Sequence, residues 1–391
     1  FTRHPLPGSP AIDAGTSDGA PATDQRGAPR PMDGNNDGTA RVDIGAVEVQ
    51  KYQKVYIVGS SGDSGPGSLR QAILDSNAGG GGGAIIFTVG SGVQTIVLQS
   101  PLPAITQPLI IDGSTQPNVT PGAPGISLTG SSLVTVNANN ATLQGLSVKG
   151  FAGNGLAING SNVTLTGNVI SSNAGNGVAI SGSNVTLTSN TITDNGSGGG
   201  TNCNGIFVAS GASNVTISQN TITGNRCSGI LSNGTGVQMT GNTISGNGGD
   251  GVQVGSDGSA NAILTNSIKD NAGEGINLVG GANNSQKSPA LTFAALTGLT
   301  ASQGAGGGTA VQGVVSGAAS TKYRLQVFAN QTCDASGNGE GATFLGETQV
   351  TLDPSGAQTF VVPTASLPAG LKRGQSVSAT ATDSAGNTSA F

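Results

Sequence analysis

Residues 162–195 read NVTLTGNVISSNAGNGVAISGSNVTLTSNTITDN, and the pattern of this stretch recurs through the centre of the chain. Each unit carries an Asn, a second Asn five positions later and then a Gly. The five units place the first Asn at Asn168, Asn190, Asn220, Asn242 and Asn266, the second at Asn173, Asn195, Asn225, Asn247 and Asn271, and the Gly at Gly177, Gly205, Gly229, Gly251 and Gly275. A fixed period with tolerated insertions is typical of a solenoid.

Apolar residues alternate with small polar residues inside each unit. The apolar positions of one coil are Val178, Ile180, Val185, Leu187 and Ile192, and those of the next coil are Ile206, Val208, Val215, Ile217 and Ile222. A period of two indicates strands. Three short strands per coil, broken at Gly and Asn, predict an all-β fold, a parallel β-helix with three sheets. We expect the repeat Asn residues to lie in turns, to tolerate a left-handed backbone and to stack as ladders. Leu146 and Phe151 occupy their positions in the preceding coil, so the ladders are predicted to start one coil in.

Composition excludes several function classes. Only 9% of the residues are charged and the net charge is −5, which leaves no basic surface for nucleic acid or acidic lipid. No apolar run is long enough for a membrane span, and residues 1–30 lack a signal-peptide pattern, so we expect a processed part of a larger protein. His4 is the single His, which argues against His-based triads and zinc clusters.

The two ends of the repeat differ from its centre. Ser68 and Gln71 form a capping-box pattern in front of the apolar positions Leu69, Ala72 and Ile73, which predicts a short α-helix that caps the solenoid. Beyond the repeat, longer alternating runs at 311–315, 323–328, 344–351, 358–362 and 376–381 predict an Ig-like β-sandwich. We therefore divide the chain into residues 1–50, a β-helix at 51–286 and a sandwich at 287–391.

Several motifs resemble parts of bacterial surface proteins. Residues 8–15 (GSPAIDAG), 23–27 (TDQRG) and 43–48 (DIGAVE) resemble the choice-of-anchor Q module, which usually follows a right-handed parallel β-helix. Residues 63–73 (DSGPGSLRQAI) and 111–117 (IDGSTQP) are similar to the opening coils of such β-helices, and 379–389 (ATATDSAGNTS) to the last strand of a bacterial Ig-like repeat. The resemblance implies a right-handed β-helix in a protein that is secreted or exposed at a bacterial cell surface.

The anchor-like segment precedes the β-helix here, whereas the resemblance places it after the β-helix. One explanation is a chain cut from a longer array. The other is that residues 1–50 complete the solenoid of a neighbouring subunit, which implies head-to-tail self-association into filaments. Light scattering that shows unchanged oligomers after deletion of residues 1–50 would contradict the second explanation.

Two cysteines lie at equivalent positions of adjacent coils. Cys203 and Cys227 each precede a repeat Gly by two residues. Stacked strands are about 4.8 Å apart, within the Cα separation of roughly 4.4–6.8 Å that a disulfide accepts. We predict a disulfide and hence an oxidising, extracellular compartment. Cys333 is left over, either as a loop thiol or as an intermolecular link.

A candidate Ca²⁺ loop lies in the N-terminal segment. Oxygen ligands two residues apart around a Gly are typical of such loops. The candidate ligands are Asp33, Asn35, Asp37, the Thr39 carbonyl and Asp43. The match is partial, because Ile44 stands where an EF-hand has its bidentate Glu, and an Asp/Asn-rich turn is the alternative.

Asp250 and Glu274 each precede a repeat Gly, so they are expected to be stacked neighbours. Paired carboxylates roughly 5 Å apart suit a retaining glycosidase or a Ca²⁺-assisted lyase. Carboxylates on a solvated turn are the alternative, since no His or Trp lies near them. Outward Thr rows, such as Thr164, Thr186 and Thr216, suit an exposed strand and also match ice-binding solenoids.

The sequence leaves two function classes open. The favoured class is a non-catalytic extracellular structural or adhesive protein, either a surface stalk or a fibre subunit, with itself or a cell-surface glycan as partner. The alternative is a β-helix that binds or cleaves polysaccharide in a lateral groove. A cleft lined by Asp250, Glu274 and a basic residue favours the enzyme, and contacts of residues 1–50 with another chain favour the fibre.

Overall fold

The computed structural model describes residues 5, 9–25, 29–34, 39–49, 54–130, 133–293, 309–332, 339–364 and 376–391. The first strands are β1 Lys54–Val58, β2 Gly83–Phe87, β3 Gln94–Leu98, β4 Leu109–Asp112, β5 Ile126–Gly130, β6 Val134–Val136, β7 Thr142–Gln144, β8 Leu146–Lys149, β9 Leu156–Ile158, β10 Thr164–Thr166, β11 Val169–Ser171 and β12 Val178–Ile180. Then follow β13 Thr186–Thr188, β14 Thr191–Thr193, β15 Ile206–Val208, β16 Thr216–Ser218, β17 Thr221–Thr223, β18 Ile230–Ser232, β19 Gln238–Thr240, β20 Thr243–Ser245, β21 Val252–Val254, β22 Ala262–Leu264, β23 Ser267–Lys269 and β24 Ile276–Leu278. The last strands are β25 Ala290–Phe293, β26 Thr309–Ser316, β27 Lys322–Asn330, β28 Thr343–Thr351, β29 Ala357–Thr364 and β30 Ser376–Asp383. The helices are α1 Leu69–Ala78 and the 3-10 segments Gly113–Thr115 and Ala282–Ser285.

Strands β1–β24 form three parallel sheets that wind into one solenoid. The first sheet runs β1-β2-β4-β7-β10-β13-β16-β19-β22, the second β3-β5-β8-β11-β14-β17-β20-β23, and the third β6-β9-β12-β15-β18-β21-β24. Each regular coil gives one strand to each sheet, and the register keeps equivalent residues adjacent: Leu165 is the partner of Leu187, and Leu187 that of Ile217. This confirms the predicted fold, an all-β right-handed parallel β-helix with three sheets.

The interior of the solenoid is one apolar cluster from Tyr56 to Ala282. Columns such as Leu165, Leu187, Ile217 and Met239 are fully buried, one side chain per coil. Each such side chain stabilises the fold by about 1.5–3 kcal/mol relative to an exposed one. Short strands therefore suffice, because each coil buries its apolar face against the next.

The repeat Asn side chains form two buried ladders along the solenoid. Asn190 Oδ1 accepts from the backbone N–H and the Nδ2 of Asn168, at 3.0 Å each, and Asn190 Nδ2 donates to Leu165 O at 2.9 Å. Leu146 and Phe151 donate their N–H groups to the first Asn of each ladder, so the ladders start one coil in, as predicted.

The expectation of a left-handed backbone at the ladder Asn residues was wrong. The left-handed φ values belong instead to the residues in front of them, for example 56° at Ser189 and 56° at Asp194. The physical reason is that two consecutive residues form each corner. The exposed residue takes the left-handed conformation that bends the chain, and the following Asn can then direct its amide into the interior.

The N-terminal end of the solenoid is covered by α1, which packs on β1 and β2 with Leu69, Ala72 and Ile73 buried. The Ser68 hydroxyl accepts from Gln71 N at 3.2 Å and caps the helix, as predicted. The second half of the capping box is replaced, because Gln71 Nε2 donates to Asp75 Oδ1 at 2.8 Å.

Strands β25–β30 form two antiparallel sheets of order β25-β26-β29 and β28-β27-β30. Their inner faces share a core that includes Val311, Leu325, Val327 and Phe360, consistent with the predicted Ig-like sandwich. The alternating runs predicted five of these strands, whereas β25 was missed.

The sandwich covers the C-terminal end of the solenoid. Glu340 Oε1 accepts from the N–H of Asn271 at 3.1 Å and from its Nδ2 at 3.3 Å, and Oε2 accepts from Asp270 N at 2.7 Å. Glu340 therefore occupies the place that a further Asn of the second ladder would take. Gln326 Oε1 accepts from Thr265 N at 2.9 Å beside the last Asn of the first ladder.

Candidate functional site

The outward face of the third sheet carries one side chain per coil. Successive coils place Ala157, Ala179, Phe207, Leu231, Gln253 and Asn277 in register. This row changes from small residues to two large apolar ones and then to amides. Phe207 and Leu231 are both half-buried. The sequence alternation places Phe207 on the outer face, because it lies between the inward residues Ile206 and Val208, but Phe207 was not predicted as a site residue.

Two insertions flank the strand that carries Phe207. Gly205 lies ten residues after Asn195, whereas Gly177 lies four residues after Asn173, so the chain is longer directly before β15. Val215 lies seven residues after Val208, whereas Val185 lies five after Ile180, so it is also longer directly after β15. Insertions in a solenoid form loops at its surface, which frequently carry the binding face. Phe207 therefore lies between two extra loops.

The first of these loops is fastened by the predicted disulfide. Cys203 and Cys227 are bonded, with their Cα atoms 5.2 Å apart, and Cys227 N donates to Cys203 O at 3.0 Å. Cys203 ends the insertion at 196–203, and Cys227 belongs to the next coil. The bond therefore joins the loop beside Phe207 to the coil that carries Leu231. Cys333 lies outside the described residues.

Removal of this disulfide will destabilise the protein. The cysteines are 24 residues apart, and a cross-link of that length stabilises by about 3 kcal/mol through the entropy of the unfolded chain. We expect a Cys203→Ser, Cys227→Ser variant to lose that amount in urea unfolding, and Cys333→Ser to serve as the control. Equal stability of the double variant and the wild type would contradict the prediction.

The two sequence-predicted carboxylates differ in their surroundings. Asp250 is buried; its Oδ1 accepts from Glu274 N at 2.9 Å, and its Oδ2 accepts from Asn277 Nδ2 at 3.0 Å. Asn176 and Asn204 hold the equivalent position in earlier coils, and each accepts from the backbone N–H one coil on. Asp250 therefore belongs to a third ladder of stacked side chains, whose earlier members include Asn176 and Asn204.

Glu274 is half-buried and lines an open cleft of about 460 Å³ beside the last coil. Asn277 and the exposed Lys287 line the same cleft. Of the cleft predicted for an enzyme, lined by Asp250, Glu274 and a basic residue, the structure has Glu274 and Lys287, whereas Asp250 does not line the cleft and is hydrogen-bonded to Asn277. Because Asn277 belongs to the outward row of the third sheet, the cleft lies at the end of the same row that includes Phe207.

Buried carboxylates in the N-terminal segment accept backbone N–H groups. The Asp43 carboxylate accepts from Asp13 N and Val49 N, and the Glu48 carboxylate from Met32 N and Asp43 N. Burial raises the pKa of the Asp43 carboxyl, and the two N–H donors act against that rise. The Arg30 guanidinium pairs with Glu48 at 3.1 Å.

The Ca²⁺ site stays a prediction, because Asn35 and Asp37 lie outside the described residues. Within the described part of the chain, no group of three or more His, Cys, Asp or Glu side chains is placed to hold a metal ion. Both Asp43 oxygens already accept backbone hydrogen bonds.

The Thr rows lie in register on the first two sheets, as their spacing predicted. Thr164, Thr186 and Thr216 are successive partners on the first sheet, and Thr191, Thr221 and Thr243 on the second. Their hydroxyls contact one another between coils, for example Thr223 with Thr193 at 3.3 Å. Ice binding by these rows stays a prediction.

Comparison with known proteins agrees with the geometry. Residues 124–290 match the family described as "Right handed beta helix region". The chain contains a right-handed parallel β-helix. Among solved structures, the A-module of the Azotobacter vinelandii mannuronan C-5 epimerase AlgE6 is 19% identical over 57% of this chain and 79% of that chain, with a TM-score of 0.41. Pectate lyase Pel9A is 14% identical over 55% of this chain and 70% of its own, with a TM-score of 0.38. The Dettilon tailspike protein is 15% identical over 76% and 90%, with a TM-score of 0.31.

These likenesses concern the fold alone. A search of curated proteins finds no match. Among the described residues, none of the helices has both the length and the apolar character needed to cross a membrane.

Proposed function

We propose that this protein binds a polysaccharide outside the cell, along the outward face of the third sheet. The observation that carries the proposal is Phe207, an outward aromatic ring placed between two loop insertions, with Leu231 beside it. Ligand sites combine an apolar surface with a few polar groups that fix orientation. The Phe207 ring and the Leu231 side chain offer the apolar surface to a sugar ring. Gln253 and Asn277 continue the row with amides that can bond to hydroxyls.

Stacked strands repeat every 4.8 Å or so. A chain of sugar rings laid along the solenoid axis would therefore meet a new side chain of the row at each coil. The β-helix fold of the epimerase, lyase and tailspike structures accords with such a ligand. The disulfide supports an extracellular location, since such bonds persist in oxidising compartments. Of the two function classes that the sequence left open, the polysaccharide class is thus the better supported.

Cleavage of the bound polymer is a second candidate. It is favoured by Glu274 and Lys287, which line one cleft at the end of the row. Glu274 would be the acid–base group, because it lines the cleft and Asp250 does not. Shortened products that disappear in Glu274→Gln, while binding persists, would support cleavage over binding alone.

The proposal predicts that Phe207→Ala weakens binding at least tenfold, because truncation removes the aromatic surface on which a sugar ring would stack. The measurement is affinity electrophoresis against a panel of neutral and acidic polysaccharides. Val97→Ala is the matched control, since Val97 is an outward apolar residue of the second sheet and 50% exposed. The proposal fails if the intact chain is retarded by none of the polymers, or if Phe207→Ala is retarded as strongly as Val97→Ala.

A stalk or filament role is compatible with glycan binding, and head-to-tail assembly stays a prediction. The covered ends of the solenoid limit how such an assembly could form. Helix α1 already covers the N-terminal end of the solenoid, and Glu340 of the sandwich covers the C-terminal end. A neighbouring subunit that extended the second ladder would therefore have to displace Glu340 of the sandwich from Asn271.

A further inference from the structure

A second cavity lies between the last strand of the first sheet and the sandwich. Its volume is about 300 Å³, at the small end of ligand pockets, which range over about 300–1,000 Å³. Its lining includes Leu264 and Ala262 from the solenoid, Lys322 and Arg324 from β27, and Gln349 from β28. None of these residues belongs to the row of the third sheet.

The solenoid side of the cavity departs from the repeat. Outward positions of the first sheet are polar in earlier coils, for example Thr186 and Thr188, and they are paired by register down to Gln238 and Thr240. The last strand, β22, has Ala262 and Leu264 at the same positions. Both are half-buried. The change from hydroxyl to apolar side chains occurs where the cavity begins, so its floor is apolar.

The sandwich side is basic. Lys322 and Arg324 are two residues apart on one strand, so they share a face of the sheet. Within the described residues, neither forms an ion pair or a side-chain hydrogen bond, whereas Arg30 and Arg70 are both paired with carboxylates. Two unpaired cations in one cavity are unusual for a chain with only 15 Lys and Arg residues and a net charge of −5.

The one acidic residue of the described lining, Asp383, forms no ion pair with these cations. Asp383 Oδ1 accepts from the N–H groups of Ala385 and Asn387 at 2.9 Å each, and Oδ2 accepts from Asn387 Nδ2 at 2.8 Å. This carboxylate is held in the turn after β30. The cavity therefore presents two cations, one carboxylate that is already held by its own turn, a neutral amide at Gln349 and an apolar floor, which leaves one net positive charge.

We propose that this cavity binds a small organic anion, a carboxylate attached to a ring or short chain. The Arg324 guanidinium can bind a carboxylate through two parallel hydrogen bonds, and Lys322 adds a point charge. The apolar part of the ligand lies on Leu264. The carboxylate can belong to a free acid or to an acidic sugar, and the site is separate from the row of Phe207.

Isothermal titration calorimetry of the whole chain at low salt tests the site, with glucuronate, glucose and sodium sulfate as probes. We expect glucuronate to bind at least tenfold more tightly than glucose, and its affinity to fall as ionic strength rises. Citrate, a short-chain acid without a ring, distinguishes a free acid from an acidic sugar: either one binding more tightly than sulfate supports the site.

The variant Lys322→Gln, Arg324→Gln should lose at least tenfold in glucuronate affinity. Lys149→Gln removes an exposed charge from the outward face of β8 and should change nothing. Phe207→Ala should also leave glucuronate binding intact, so this site and the polysaccharide site can fail independently. The proposal is overturned if neither glucuronate nor citrate binds better than glucose, if sulfate binds as tightly as both organic acids, or if the double variant retains wild-type affinity for the acid that binds while its melting curve is unchanged.

Discussion

Replacement of Glu340 by Ala will lower the free energy of unfolding by about 2–4 kcal/mol, because two backbone donors at the end of the second ladder, one of them buried, lose their acceptor. The donors that lose their acceptor are Asn271 N and Asp270 N, at 3.1 and 2.7 Å from the Glu340 oxygens, whereas Asn271 Nδ2 keeps Lys269 O and Ile244 O as further acceptors. Asn271 is buried and Glu340 is itself 9% exposed, so water has little access to Asn271 N, whereas Asp270 is exposed. Each buried donor without a partner costs about 1–3 kcal/mol.

The loss should begin locally. A solenoid is stabilised by contacts between neighbouring coils, so the last coil will fray before the centre does. Hydrogen exchange should show faster exchange in residues 252–278 of Glu340→Ala while the coil around Leu187 stays protected. Urea unfolding gives the global value.

Two variants make the result specific. Glu340→Gln keeps one side-chain oxygen, so it should lose less than half as much stability as Glu340→Ala. Asp257→Ala removes an exposed carboxylate from a nearby turn and should stay within about 0.5 kcal/mol of the wild type. If Glu340→Ala unfolds at the same urea concentration as Asp257→Ala, the sandwich does not cap the ladder in the way described.

The capping role of Glu340 shows what the sequence could not predict. The coils, the ladders and the Cys203–Cys227 bond were predictable, because equivalent residues of a repeat stack at one strand spacing. Glu340 is 69 residues from Asn271 and outside any repeat. Its position depends on how a sandwich packs against a solenoid, and no local pattern encodes that packing.

The candidate sites also differ in how far the sequence alone predicts them. Alternation alone assigns Phe207 to the outer face, and a comparison of spacings assigns the insertions on both sides of it. Asp250 looked like half of a carboxylate pair, but its column holds Asn in earlier coils and its oxygens bond to the next coil. The cavity of Leu264, Lys322 and Arg324 was not predictable, since it forms only where two domains meet.

Replacement of Asn220 by Ala will cost at least as much stability as the Glu340 change, because Asn220 lies in the middle of the first ladder. Its Oδ1 accepts from Asn190 N at 2.9 Å and Asn190 Nδ2 at 3.0 Å, and its Nδ2 donates to Leu187 O and Asn242 Oδ1 at 3.0 Å each. Asn220 is 1% exposed, so these groups stay without water when the amide is removed. We expect a loss of about 3–5 kcal/mol in urea unfolding.

The neighbouring Thr221 is the control, since it is exposed on the outward face of β17 and Thr221→Ala should change the stability by less than about 1 kcal/mol. Asn220→Asp separates hydrogen bonding from packing, because it keeps the shape but loses the donor and buries a charge. At neutral pH it should be at least as destabilising as Asn220→Ala. As the pH falls, the carboxyl takes up a proton and regains a donor, so its stability relative to Asn220→Ala should increase. An equal loss of stability in Asn220→Ala and Thr221→Ala would contradict the prediction, because it would mean that the hydrogen bonds of the ladder do not stabilise the coils.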